Sequence, residues 1–190
     1  FSHKGKKTTL EDVRYMQNSL GVSIFEISKD KDGFFQVVLD SPYNRRITAQ
    51  TPMKLQGAAK GHKLMRTAAD KKGELVLGTL NNCANGQTPW GTYLTCEENV
   101  DDFFGSSDKN QVLTPALKRY GFGKESVYKW ELDPRFDLAK NPNEANRFGW
   151  VVEIDPYNAN STPIKRTALG RFKHENAEVL INKDGRVVVY

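Results

Sequence analysis

The sequence predicts an all-β protein of short antiparallel strands joined by long loops, with one short helix at its start. Three observations predict it. Most apolar segments alternate with a period of two rather than recurring at helical spacing. Turn clusters such as Asp30-Lys31-Asp32-Gly33 and Lys183-Asp184-Gly185 separate them. Only one segment, near the N terminus, combines helical periodicity with both caps. A propeller, a sandwich or a barrel fits this pattern equally, and no blade-type repeat is visible to choose among them.

Taken in order, Thr8-Thr9-Leu10-Glu11 fits a capping box, with the Thr8 hydroxyl and the Glu11 carboxylate serving orphan backbone donors. Leu10, Val13, Met16 or Gln17, and Leu20 recur at helical spacing, and Gly21 supplies a stop. The period then changes to two. Val22, Ile24 and Glu26 face one way and Ser23, Phe25 and Ile27 the other, before the turn at 30–33 leads into residues 34–39 as a hairpin. Further strands are expected over 74–80, 91–96, 126–132 and 150–154, and a last hairpin over 178–190. Residues 101–125 and 133–148 read as excursions from the sheet. The first holds a short helix with Thr114 as cap, Pro115 at its first position and Gly121 ending it. The second is punctuated by Asp133-Pro134 and Asn141-Pro142.

Composition bounds the function. The 190 residues are 38% apolar and 27% charged, which argues for a folded chain and against disorder. The net charge of +5 reads as a solvated surface, because Lys4, Lys6, Lys7, Lys71 and Lys72 fall beside turn residues. No zinc knuckle, RNP-like strand or basic helix supports nucleic-acid binding. No apolar run approaches the roughly 18 residues of a membrane span. The chain begins at Phe1 rather than Met, so it reads as an internal piece of a longer protein, and the absence of a signal peptide says nothing about location.

Two stretches carry the chemistry. Asn81-Asn82-Cys83-Ala84-Asn85-Gly86 leads through a Gly/Pro turn to Thr95-Cys96-Glu97-Glu98-Asn99. Strand alternation puts Cys96 and Glu98 on one side and Glu97 on the other, so a single metal could use Cys96 with Glu98. The three amides before Gly86 offer oxygen ligands of the kind calcium takes. Cys83 and Cys96 could equally be joined as a disulfide. In Gly170-Arg171-Phe172-Lys173-His174-Glu175, alternation puts Arg171, Lys173 and Glu175 on one face. An arginine can grip phosphate through two parallel hydrogen bonds, and a carboxylate can ligate a metal. A lone His174 reads as a structural hydrogen bonder, and His3 and His62 carry no functional claim.

These residues resemble the signature of the PhoX family of alkaline phosphatases. The resemblance runs from Asn81-Asn82-Cys83 through Thr88-Pro89-Trp90-Gly91-Thr92 to Thr95-Cys96-Glu97-Glu98-Asn99, then through residues 146–156 and 165–175, with a further stretch at 61–67. It implies a β-propeller holding an iron–calcium cluster, with residues 1–190 forming part of one propeller domain. It also implies phosphomonoester hydrolysis, small phosphomonoester substrates, a monomer, and Tat export to the periplasm or cell surface. Cys83 or Cys96 would be the iron's thiolate ligand, with Glu97, Glu98 and Glu175 shared between iron and calcium and Arg171 acting on the phosphate. An acidic Gly-Asp-Asp motif expected after Tyr190, and an Asn-His-Glu motif expected before residue 1, are not in the sequence. About half a propeller and part of the ligand set are therefore expected here, with unpaired strand edges lowering stability. Two rival functions are a calcium-dependent propeller lactonase or esterase, which needs no thiolate, and a non-catalytic surface binding module with bridged cysteines.

Overall fold

The computed structural model describes residues 7–123 and 125–190; His3, Lys4 and Lys6 lie outside them. The first element is helix α1, Leu10–Ser19, and it is capped one residue later than the sequence predicts. Thr9 rather than Thr8 is the cap. Its hydroxyl accepts from the Asp12 amide, and the Asp12 carboxylate accepts in return from the Thr9 amide at 2.8 Å. Val13 and Gln17 are the buried positions. Gly21 follows the helix at φ +109°, where a Cβ would stand 1.9 Å from the Ile47 carbonyl oxygen.

Strand β1, Val22–Ile24, leaves the expected hairpin and pairs antiparallel with β4, Arg45–Ile47. The hairpin itself is shorter than predicted, with β2, Ile27–Lys29, paired to β3, Phe35–Val37. Its turn is closed by the Asp30 carboxylate, which accepts from the amides of Asp32 and Phe34.

The largest sheet contains β5 (Pro52–Gln56), β6 (Leu75–Leu77), β7 (Asn82–Gln87), β8 (Tyr93–Glu97), β9 (Val151–Ile154) and β10 (Ile164–Arg166). Its spatial order is β6-β5-β10-β9-β8-β7. Every neighbouring pair is antiparallel except β5 with β10, which run parallel. A final hairpin joins β11, Val179–Ile181, to β12, Val187–Val189, through a turn with Gly185 at φ +81°. The chain is thus mostly β with few helices, and among the described residues no sheet closes on itself. No described helix is long and apolar enough to cross a membrane.

Three differences from the sequence reading have physical causes. Residues 126–132 form turns and a 3-10 helix at Trp130–Leu132, because the Ser126 hydroxyl captures the Trp130 amide at 3.0 Å and bends the chain. Residues 82–87, which fall outside the strands expected at 74–80 and 91–96, form strand β7 although the segment is polar, because pairing with β8 supplies its hydrogen bonds. The segments at 101–125 and 133–148 lie outside the sheets as loops and short helices, yet they pack inward. With α2, Pro115–Tyr120, capped by Thr114 and ended by Gly121, they deliver Phe103, Phe104, Phe122, Phe136 and Phe148 to the main core, where Trp130 from the intervening turn joins them. Phe104 meets Phe122, Phe136 and Phe148 at centroid distances of 5.6, 5.1 and 5.8 Å, tilted as aromatic rings prefer.

Gly86 on β7 admits the chain that carries the second chemical stretch. A Cβ there would lie 1.9 Å from the Ala177 carbonyl oxygen. Gly86→Ala should therefore lower the urea midpoint at unchanged slope, a loss of about 1–3 kcal/mol from overpacking. An unchanged midpoint would show that residues 171–178 do not press on β7.

Candidate metal centre

The β7–β8 ladder is regular from Gln87↔Tyr93 to Asn85↔Thr95, then slips before resuming at Asn82↔Glu97. This bulge spans Cys83 and Ala84, and bulges of this kind re-aim side chains. Asn81, at φ +46°, takes the left-handed conformation that asparagine tolerates. Its carbonyl accepts from the Glu98 amide at 3.1 Å, and its side-chain oxygen from the Asn99 amide at 3.2 Å. The Ala84 amide, freed from β8 by the bulge, donates to the Glu175 carbonyl at 2.8 Å. Three separate pieces of chain, carrying Cys83, Glu98 and Glu175, are drawn to one corner of the sheet.

Cys83 is exposed there, and its thiol donates to the Glu98 carboxylate. That hydrogen bond, with the negative charges of Glu98 and Glu175, pushes the thiol above its ordinary pKa. Among the described residues neither Glu98 nor Glu175 has an ion-pair partner. A thiol beside two uncompensated carboxylates fits a bound cation, which would reverse the unfavourable electrostatics. The described residues bring no three His, Cys, Asp or Glu side chains close enough to complete a metal site by themselves.

The other predicted residues face elsewhere. Cys96 is buried with Leu94, Val151, Ala177 and Val179, and burial pushes its thiol up to about 11. Cys83 and Cys96 are both free, which removes the bridged-cysteine module. Glu97, expected as a metal ligand, has no exposed surface and both oxygens occupied. Oε1 accepts from Lys165 Nζ at 2.7 Å and the Leu80 amide at 3.2 Å, and Oε2 from the amides of Gly149 and Trp150 at 2.9 and 3.1 Å. Arg171, expected to act on phosphate, instead donates to the Phe148 and Ala145 carbonyls, both at 2.8 Å. Its guanidinium lies 4.5 Å from the Tyr120 ring centroid, and burial lowers its pKa. The two side chains are turned away for separate reasons: strand alternation on β8 sends Glu97 to the side opposite Cys96 and Glu98, whereas the stretch 171–175 is irregular and turns Arg171 inward.

His174 is structural, as its isolation in the sequence suggests. It is buried against Phe172 with Nε2 at 3.0 Å from the Gly170 carbonyl, and desolvation lowers its pKa. Lys173 is the basic side chain left partly in solvent, 40% exposed, paired with Asp101 at 3.0 Å and donating to Asn99 at 3.1 Å. Lys165 escaped sequence reasoning altogether. A lysine with no exposed surface gives no signal in a strand unless its carboxylate partner is known. Burial pushes its ammonium down, to about 8, against the pull of Glu97.

Sulfur and oxygen side chains thus lie at one corner of a mostly β scaffold. Comparison with known families makes the assignment: the chain belongs to the alkaline phosphatase PhoX family, whose model matches residues 1–190. A solved structure described as Pseudomonas fluorescens PhoX in complex with vanadate, a transition state analogue, is similar at a TM-score of 0.94 and 57% identity. The match covers 99% of this chain and 33% of that one, so the chain spans about a third of that relative's length. Comparison with curated proteins gives no match.

In chelator-treated native protein, a thiol reagent should label Cys83 and leave Cys96 until unfolding. Labelling should accelerate as pH rises past the ordinary thiol range, and Cys83→Ser should abolish it. Native labelling that survives Cys83→Ser but not Cys96→Ala would reverse the assignment.

Proposed function

We propose that this chain forms part of a metal-dependent phosphomonoester hydrolase in which Cys83, Glu98 and Glu175 are ligands to an iron–calcium centre. The observation that carries the reading is the bulge of β7, where the Ala84 amide bonds the Glu175 carbonyl and the Asn81 carbonyl takes the Glu98 amide, gathering the segments of Cys83, Glu98 and Glu175 with no ion-pair partner for either carboxylate among the described residues. Relationship to a protein that binds vanadate, an oxyanion named there as a transition state analogue, supports phosphate ester as the substrate class. The substrates are small phosphomonoesters and the protein is a monomer.

Sulfur suits iron, whereas carboxylates suit both iron and calcium. Burial of Cys96 and saturation of Glu97 favour Cys83 as the thiolate and leave Glu97 outside the ligand set. Further ligands come from segments outside these residues. When bound, the metals supply Lewis acidity that screens the phosphate charge and stabilises charge building on the leaving oxygen. To act as ligands, Cys83 Sγ would give up its proton to solvent and Glu98 would stay an unprotonated carboxylate, so metal binding would release a proton. Lys173 is the basic group available to orient an anion, while Arg171 braces the backbone behind it.

The meander of β7, β8, β9 and β10, four antiparallel neighbours in chain order, supports a propeller blade. The β5–β6 hairpin adds to it across the parallel junction. Export of the folded protein by the Tat route to the periplasm or cell surface belongs to the same reading and follows from the family resemblance.

The test uses the full-length protein, with bound iron and calcium measured and p-nitrophenyl phosphate as substrate. Chelation should abolish turnover. Cys83→Ser and Glu175→Gln should each lower kcat/KM by about 100-fold or more, while Cys96→Ala stays within about threefold. Undiminished activity after complete metal removal would overturn the mechanism.

A further inference from the structure

The strongest unused feature of the fold is an ion pair with no exposed surface, Glu97 with Lys165. Neither residue reaches solvent, so neither can meet substrate. Yet the pair lies at the junction of every segment that bears a donor. The Leu80 amide, held by Glu97 Oε1, begins the run into Asn81 and Cys83. The Glu97 carbonyl accepts from the His174 amide at 3.2 Å, one residue before Glu175. Glu98 is the next residue along the chain. On the far side, Oε2 holds Gly149 and Trp150 where β9 begins, and the Glu97 amide donates to the Trp150 carbonyl at 3.2 Å.

Lys165 completes the arrangement from two strands away. Its ammonium donates to Glu97 and to the Arg147 carbonyl at 3.0 Å, and lies 3.9 Å from the Phe148 ring centroid. An uncompensated carboxylate in this apolar interior would be strongly destabilising, and Lys165 is the cationic partner that the buried Glu97 carboxylate has there.

We propose that Glu97 and Lys165 are positioning residues, a buried pair that sets the spacing of Cys83, Glu98 and Glu175 without touching metal or substrate. Glu97 acts through the backbone: its carboxylate makes four contacts, of which the Leu80 amide sets the approach of the Cys83 segment, and its peptide carbonyl, held in place by those four, takes the His174 amide of the Glu175 segment. Supports of this kind around ligand side chains commonly govern metal affinity by about 10- to 100-fold. The inference rests on the proposed ligand set for its consequence in metal binding, but its first test needs neither metal nor activity.

The experiment compares full-length wild-type protein with Glu97→Gln, Lys165→Met and Val13→Ala. Val13→Ala is a core truncation in α1, on the first helix and outside the donor-bearing segments. In chelated, folded protein, thiol labelling of Cys83 should be about fivefold faster or more in Glu97→Gln, because Glu98 no longer stays against the thiol. Val13→Ala should leave the rate unchanged at equal folded fraction. Lys165→Met strands the Glu97 carboxylate and should show the same change, and the double variant Glu97→Gln/Lys165→Met, which leaves no stranded charge, should show it too and covers a single variant that fails to fold. In the metal-loaded protein, chelator competition should reveal iron and calcium held about tenfold less tightly by both pair variants. Wild-type labelling rates in a folded pair variant, or equal acceleration in Val13→Ala, would overturn the positioning role. Altered labelling with unaltered metal retention would uphold the pair and overturn the ligand set instead.

Discussion

A single carboxylate organises this corner of the molecule. Glu97 accepts from one ammonium and three amides, and its own peptide group bonds back to Trp150 and on to His174 in one further segment. The energetic logic is asymmetric. A buried ion pair adds little over a well-packed apolar pair, but removing one partner strands a charge at a cost of about 3–5 kcal/mol. The donors to Glu97 come from β10 and from the segments that lead into β7 and β9, so this one contact ties all three to β8.

Around that contact the molecule divides into two packing regions. The main core is dominated by aromatic side chains from the long connection between β8 and β9 and by the inner faces of β4, β5 and β6. A smaller cluster of Leu94, Cys96, Val151, Ala177 and Val179 lies on the other face of the sheet beneath the last hairpin. The donors of the candidate centre sit at the bulged edge of β7, where regular pairing fails and side chains can be turned outward. Irregular backbone is what exposes the chemistry, and the regular sheet beside it is what keeps the exposure reproducible.

Much of this was legible in the sequence. Turn chemistry located both hairpins, Thr114 and Gly121 bounded α2, and Gly21 ended α1. The donor stretches were visible by residue type alone. Alternation failed where the backbone departs from a strand: it could not foresee the bulge that separates Cys83 from Cys96, nor the turn that buries Arg171. The strand at 82–87 was hidden because its residues are polar, and its stability comes from a partner strand rather than from its own side chains. Residues 126–132 show the converse. Local apolar character there serves an aromatic core reached through a 3-10 turn.

The parallel pairing of β5 with β10 has a consequence for biosynthesis. Lys54 and Leu55 find their partners only at Ile164 and Lys165, more than a hundred residues further along. Loop closure over that distance is slow, and no tight turn can nucleate it. On a ribosome the β7–β8 ribbon can therefore zip up early, while the β5–β6 hairpin must wait with an unpaired edge until β10 has emerged. That interval, when a half-built sheet offers open backbone to any neighbouring chain, is where a folding helper would have most to protect.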